Sequence, residues 1–215
     1  MKFFGRYIFF YRGYTQALFF TMLILYVWSF PSPDPFWKRW MDTFLDAVAM
    51  FSLISGELIR LWAVSHAGKA TRSRRFKAQL LVTAGPYAYL RHPIYLGNFL
   101  IGLGIVVISG AFIFVPIFLL LFAFHYHAII SEEEGFLRER FGMAFEQYRA
   151  RVPKYFPIRI HVGRDLLFGK HLPLKELGTA CGILVGGFFF EWIESPLHRR
   201  WITGFYDWLT KGGIL

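Results

Sequence analysis

Long apolar runs alternate with short basic segments along this chain, and this alternation limits the possible folds more than any other feature. The first run covers residues 14–30 and ends at a group of prolines, and the second covers 44–64. Two further runs, 94–108 and 112–126, are separated by only a few residues. A helix needs about 20 mostly apolar residues to cross a bilayer. The pattern predicts an all-α, polytopic membrane bundle in which the third and fourth runs form a tight hairpin.

The composition supports the same class of protein. Hydrophobic residues make up 55% of the 215 residues and aromatic residues 20%, more than soluble domains carry. The formal net charge is +10, but the basic residues lie between the apolar runs, as in loops that face anionic lipid. We therefore expect membrane lipid as a partner and no nucleic acid. With Cys181 as the only cysteine, neither a disulfide nor a cysteine metal cluster can form within one chain.

A fifth apolar stretch, residues 178–193, is shorter and rich in glycine, and an aromatic amphipathic tail follows it. We expect about five transmembrane helices in a single domain that covers 1–215. Within that domain, 1–64 hold the N-terminal spans, 65–158 hold the core with the cofactor site, and 159–215 hold the C-terminal stretch and tail. The first run, which no cleavage site follows, is expected to be a retained anchor.

The positive charges predict the topology. Segment 65–92 contains six lysine and arginine residues and no acidic residue, so it is expected in the cytoplasm together with the N-terminus. Residues 130–159 alternate apolar and charged positions with a helical period, which predicts a cytoplasmic amphipathic helix that covers the hairpin as a lid. Pro153 and Pro157 are expected to end this helix.

Polar side chains concentrate in 85–97, where the basic loop meets the third run. Pro93 suits the first turn of a helix, where its missing N–H would have no partner. Arg91 and His92 then lie at a helix N-terminus, a place that attracts carboxylates and phosphates and where an imidazole can exchange a proton. A snorkelling arginine beside an interfacial histidine would give the same pattern.

The hairpin returns the chain to the same face of the membrane, so a second polar group should meet the first. Arg91, His92 and Tyr95 are expected opposite the three consecutive glutamates at 132–134. A cluster with both signs of charge suits a zwitterionic small molecule. The helix dipole at an acidic helix start would also explain the glutamates without any ligand.

Two charged residues, Glu57 and Arg60, lie three positions apart in the second run and so share a helical face. Charges at that depth are costly unless they are paired or functional. Their spacing is compatible with a mutual ion pair and equally with a pair that faces a substrate cavity. No metal site is expected, because the seven histidines are scattered and His125 and His127 point to nearly opposite faces of a helix.

Several of these elements, in fixed order, resemble the isoprenylcysteine carboxyl methyltransferases and the related phospholipid methyltransferases over roughly residues 50–158. The elements are Gly85-Pro-Tyr87, Arg91-His92-Pro93-x-Tyr95-x-Gly97, Glu133-Glu134-x-x-Leu137-x-x-x-Phe141-Gly142-x-x-Phe145-x-x-Tyr148, and Val152-Pro153 with Pro157. The resemblance implies a helical membrane enzyme that transfers a methyl group from S-adenosylmethionine at the cytoplasmic mouth of the hairpin.

Carried over residue by residue, the resemblance also implies a cofactor site. Its members are Arg91, His92, Tyr95, Gly97, Glu133 and Glu134. The charges fit independently, because the cofactor offers a carboxylate for Arg91 or His92, and an ammonium and ribose hydroxyls for the glutamates. The Glu57–Arg60 stretch is similar to a family helix that lines the substrate cavity.

The acceptor is expected to be a lipid-like or prenylated molecule, and Glu57, Arg60 and His127 are the candidate catalytic residues. Arg60 would orient a carboxylate, whereas an amine acceptor would need Glu57 or His127 as a base. Prenylcysteine enzymes carry an arginine shortly before the glutamate pair, where this chain has His127-Ala-Ile-Ile-Ser. The alternatives are an NADPH-dependent enzyme of the sterol-reductase type and a non-catalytic membrane scaffold.

Overall fold

The computed structural model describes residues 2–29, 38–67 and 80–155, with isolated helical residues at 178, 182 and 185. Within these ranges every regular element is helical, which confirms the all-α class. The helices are α1 (Lys2–Ser29), α2 (Lys38–Ala67), α3 (Pro93–Ile108), α4 (Phe114–Phe141) and α5 (Met143–Arg151), with a 3₁₀ turn at Gly85–Ala88 before α3.

Two helical segments are long and apolar enough to cross a membrane, Thr43–Ala67 and Phe114–Phe141. Two more, Tyr14–Ser29 and Pro93–Ile108, are apolar but shorter. Large apolar side chains on α2 and α4 point outward, as lipid contact requires. They include Phe44, Phe51, Leu58, Leu120 and Phe124. Five spans therefore stay a prediction, and all but three positions of the predicted fifth span, 178–193, lie outside the described residues.

The third and fourth apolar runs form the expected hairpin. The Ser109 hydroxyl donates to the carbonyl of Val106 at 2.8 Å, and Gly110 turns the chain with a φ of +65°. A positive φ is easily adopted only by glycine, so the turn can be this short.

The predicted division after the fourth run was wrong. Instead of a span that ends at 126 and a separate amphipathic helix over 130–159, α4 continues through the glutamates to Phe141. Glutamate, leucine and arginine are good helix formers, and a change from apolar to charged residues does not interrupt backbone hydrogen bonding. The break comes at Gly142, whose φ is +52°, and α5 then ends at Arg151.

The core lies where α1, α2, α3 and α4 meet, and α3 packs most extensively along α2. The buried side chains there are Leu23, Val27, Ala49, Leu53, Ile101, Val106, Ile108, Ala111 and Phe118. The backbones of α2 and α3 touch, since a Cβ added to Gly97 would lie 2.6 Å from the Gly56 carbonyl oxygen and 2.5 Å from Arg60 Cγ. The structure thus gives Gly97 a packing function.

Candidate active site

A tightly packed turn precedes α3 and places its polar residues at the open end of the hairpin. This region, where Arg91, His92 and Tyr95 lie beside Glu133 and Glu134 of α4, is named the mouth. Gly85 has a φ of +62° and lies against the His66 ring, leaving no room for a side chain. Pro93 is the first residue of α3, as the sequence predicted, and His92 precedes it as the N-cap. Arg91 and His92 are therefore held beside the helix start.

Both residues meet Glu134 of α4. Arg91 Nη1 lies 2.8 Å from Glu134 Oε1, and His92 Nε2 lies 3.1 Å from the same oxygen. An ionised carboxylate only accepts hydrogen bonds, so the proton of this contact belongs to His92 Nε2. Two adjacent residues before α3 are thereby joined in one largely buried cluster with a glutamate 42 positions after His92.

Glu133 has a different environment from its neighbour. It accepts a hydrogen bond from the Tyr95 hydroxyl at 2.9 Å, and His92 Nδ1 lies 3.7 Å from its Oε2. The side chain of Glu133 is 33% exposed, against 11% for that of Glu134. Tyr95 is held in turn by its ring contacts with His92 and Tyr126. The mouth therefore contains one partly open carboxylate and one enclosed carboxylate.

The Arg91 guanidinium still has hydrogen-bond donors that could bind a ligand. Its side chain is only 9% exposed, yet within the part of the chain that the structure describes neither Nε nor Nη1 makes a hydrogen bond, although Nη1 forms an ion pair with Glu134. A buried donor without an acceptor is costly, and guanidinium binds carboxylates through a planar fork. The donor set therefore fits an amino-acid carboxylate, while the partly open carboxylate of Glu133 fits an ammonium.

Residues 152–155, here named the strap, pass beside this cluster after α5. The backbone N–H of Arg91 donates to the Pro153 carbonyl at 3.0 Å, and Lys154 Nζ lies 3.9 Å from Glu134 Oε2. Lys154 is thus a second cation, beside Arg91, that faces Glu134. Lys154 was missed by the sequence analysis, because a lysine after a proline is no motif and only the fold places it near α4.

Two tyrosines join α5 to the turn before α3. The Tyr148 hydroxyl donates to the Tyr87 carbonyl at 2.7 Å, and Phe145 is fully buried beneath it. Burial is the main cause that raises the pKa of the Tyr148 phenol, so this hydroxyl remains protonated and able to donate over the physiological range. That α5 acts as a lid stays a prediction, but the structure attaches it to the site at two points, through Tyr148 and through the strap.

The three candidate catalytic residues lie on different elements. Glu57 Oε2 and Arg60 Nη1 are 3.5 Å apart in α2, at the packed contact with α3, and both side chains are largely buried. His127 lies on α4, is exposed, and its Nδ1 is 3.1 Å from the Tyr155 hydroxyl. The mutual ion pair of Glu57 and Arg60 is thus present, while the catalytic roles of all three remain predictions.

A polar network deeper in the bundle was not foreseen. The Tyr126 hydroxyl accepts hydrogen bonds from Asn98 at 3.1 Å and Gln16 at 3.0 Å, which joins α1, α3 and α4. Thr15 and His125 make a further contact of 3.1 Å between α1 and α4. Asn98 inside an apolar run was the signal that could have revealed it.

Among the described residues, no group of three or more histidine, cysteine, aspartate or glutamate side chains could hold a metal ion. The expectation that the protein has no metal site stays a prediction.

Comparison with known proteins identifies the family of this chain. Residues 47–139 match the isoprenylcysteine carboxyl methyltransferase (ICMT) family. Protein-S-isoprenylcysteine O-methyltransferase of Schizosaccharomyces pombe is 38% identical over 51% of this chain, which spans 48% of that relative. The nickel-cobalt-cadmium resistance protein NccN of Alcaligenes xylosoxydans is 32% identical over 78% of each chain. No solved structure matches.

A rice relative extends the match beyond this segment. The probable protein-S-isoprenylcysteine O-methyltransferase of Oryza sativa is 31% identical over 68% of this chain and 76% of that protein. On the combined evidence of this relative and the family match, the chain belongs to the isoprenylcysteine carboxyl methyltransferase family.

Proposed function

We propose that this protein is a membrane methyltransferase that uses S-adenosylmethionine to methylate a lipid-like acceptor at the cytoplasmic face. One observation carries the proposal: the hairpin mouth brings a buried guanidinium with an open donor next to a partly exposed carboxylate. The names of the yeast and rice relatives support methyl transfer to a prenylated cysteine.

The residues of the mouth fit this cofactor. Arg91 would bind its carboxylate through the open Nε donor, and Glu133 would bind its ammonium. When bound, S-adenosylmethionine supplies a methyl group on a positively charged sulfur, which is reactive without further activation. The protein therefore has to align the reactants and exclude water rather than create the electrophile.

The polar groups around the mouth hold it in a fixed arrangement. His92 binds Glu134 and its ring stacks with Tyr95, while Tyr95 holds Glu133. The strap is joined to this arrangement by the hydrogen bond between the Arg91 backbone and the Pro153 carbonyl. Such preorganisation supports an in-line displacement, because the reacting groups need little further ordering.

The acceptor is proposed to enter sideways from the bilayer and present an anionic head group to Arg60. Arg60 lies against Gly97, two residues after Tyr95, and so close to the mouth along α3. A carboxylate needs no general base, so Glu57 would serve to hold Arg60 at 3.5 Å. The exposed His127, bound to Tyr155, is a weaker candidate for a base, which favours a carboxylate over an amine acceptor.

The test is methyl transfer by the full chain, purified into lipid nanodiscs. With methyl-labelled S-adenosylmethionine, label should appear on an N-acetylated, prenylated cysteine, and not on its non-prenylated analogue or on phosphatidylethanolamine. S-adenosylhomocysteine should stabilise the protein by about 2.7 kcal/mol at a hundredfold excess over its dissociation constant. Stabilisation by NADPH alone would indicate a reductase, and stabilisation by neither ligand a scaffold; either result would overturn the proposal.

A further inference from the structure

The adjacent glutamates of the mouth differ in how much of their bonding capacity the protein already uses. On Glu134, Oε1 accepts a hydrogen bond from His92 and forms an ion pair with Arg91 Nη1 at 2.8 Å, while Lys154 faces Oε2 at 3.9 Å. On Glu133, Tyr95 supplies one hydrogen bond, and a third of the side chain is exposed. A ligand ammonium could reach Glu133 directly, but it would have to displace a protein cation from Glu134.

The partners of Glu134 also come from separate parts of the fold. Arg91 and His92 precede α3, whereas Lys154 belongs to the strap, whose Pro153 carbonyl binds the Arg91 backbone. One carboxylate on α4 thus connects the start of α3 with the segment after α5. A carboxylate contacted from two parts of the fold, by Arg91 and His92 on one side and by Lys154 on the other, is suited to fixing the orientation of these side chains.

The orientation of Arg91 matters because its guanidinium is planar. With Nη1 bound to Glu134 at 2.8 Å, the plane of the guanidinium is restricted and the buried Nε is held in a defined direction. Without Glu134, the long side chain would sample several rotamers and lose its preference for a carboxylate in one place.

We propose that Glu133 contacts the ligand ammonium, whereas Glu134 is a positioning residue that orients Arg91 toward the ligand carboxylate, with Lys154 completing its charge balance. This assignment rests on the proposed function, since it divides the cofactor site between the two glutamates. It also adds Lys154, which lies beyond the matched residues 47–139, to the site.

The experiment crosses two variants with two ligand analogues. Affinities for S-adenosylhomocysteine, its deaminated analogue and its decarboxylated analogue are measured by calorimetry on nanodisc-embedded wild type, Glu133→Gln and Glu134→Gln. Wild type should bind S-adenosylhomocysteine about tenfold or more tightly than either analogue, as expected for charge-assisted contacts. Glu139→Gln, an exposed change on the same helix, is the matched control and should leave all three affinities unchanged.

The two variants should each lose the preference for a different group of the ligand. Glu133→Gln should lose the preference for the amino group and keep the preference for the carboxylate. Glu134→Gln should lose the preference for the carboxylate and keep the preference for the amino group. If either glutamate served only folding, its variant would contain less protein that is able to bind. Calorimetry would show this as a lower binding stoichiometry, with both preferences unchanged.

The outcomes separate the two proposals. If wild type binds none of the three ligands, the proposed function is overturned and this assignment with it. If wild type binds but Glu134→Gln loses the amino preference, or both variants lose both preferences equally, the division of roles is overturned and the methyltransferase proposal stands. Lys154→Met should reduce the preference for the carboxylate less than Glu134→Gln does, because Lys154 acts on Arg91 only through Glu134; a loss of the amino preference would instead make Lys154 a ligand contact.

Discussion

The two faces of α3 are held against their neighbouring helices by different kinds of interaction. Toward α2, Gly56 and Gly97 let the backbones touch, and the ion pair of Glu57 and Arg60 is enclosed by packing. Toward α4, the mouth is held by directed contacts between charged and aromatic groups, and Glu133 stays partly open. Close packing of the backbones therefore determines how α3 sits against α2, whereas contacts between charged groups determine how it sits against α4.

This difference predicts that a single methyl group matters most at the α2–α3 face. Gly97→Ala would place a Cβ 2.5 Å from Arg60 Cγ and 2.6 Å from the Gly56 carbonyl, and should destabilise the protein by about 1–3 kcal/mol. The measurement is the free energy of unfolding in mixed micelles.

Gly135→Ala is the matched control, because nothing described lies within 4 Å of its added Cβ. There alanine should stabilise α4 by about 0.5–1 kcal/mol through its higher helix propensity. Equal effects at the two glycines would show that the α2–α3 contact is looser than described.

The second prediction concerns the buried pair on the same face. If Arg60 orients the acceptor through its planar fork, Arg60→Lys should lower single-turnover methyl transfer by about tenfold or more, which corresponds to about 1.4 kcal/mol. Affinity for S-adenosylhomocysteine should not change, since the proposed contacts with the cofactor are made by Arg91 and Glu133 and not by Arg60. Wild-type turnover in both Arg60→Lys and Arg60→Ala would limit the pair to a structural role.

On the side of the mouth, smaller effects are expected. Tyr148→Phe removes the 2.7 Å hydrogen bond to the Tyr87 carbonyl and should cost about 1 kcal/mol. Dissociation of S-adenosylhomocysteine, followed by stopped flow, should become faster because α5 is less firmly attached. Tyr155→Phe, which breaks an exposed contact with His127, should change neither quantity. If it accelerates dissociation equally, the strap rather than Tyr148 controls release.

The smallest effect is expected outside both faces. Arg138 Nε and Glu146 Oε1 are 2.6 Å apart across the Gly142 break, but both side chains are about half exposed. Water and salt screen such a pair, so Glu146→Gln should cost less than about 1 kcal/mol. Unfolding measured at low and high salt checks this, and a loss comparable to that of Gly97→Ala would contradict the contrast drawn between the faces.

Much of this arrangement could be predicted from local patterns. The boundaries of α3 follow from apolar length, and Pro93 marked its start because proline fits a first helical turn. The start of α2 does not follow from it, since α2 begins at Lys38, before the predicted run 44–64. The extent of α4 could not be predicted from apolar length, since charged residues continue a helix as readily as apolar ones do. Gly142 ended it, although glycine occurs within α4 at 135 without a break.

The candidate site was predictable as a set of residues but not as a set of contacts. Arg91, His92, Tyr95 and the glutamates were expected together because a hairpin brings its two open ends to one side. Lys154 and the Tyr148 contact were missed, since both depend on how the chain turns after Gly142. Gly97 was assigned to the cofactor site by resemblance, while the structure places it against Gly56 and Arg60.

The sequence by itself determined that this chain forms apolar helices and that polar groups gather where α3 begins, because helix length and charge placement are local properties. Only the tertiary structure decided that Glu134 is enclosed while Glu133 is partly open. Consecutive residues on a helix point about 100° apart, so which of two identical side chains meets Arg91 depends on how α4 is rotated against α3.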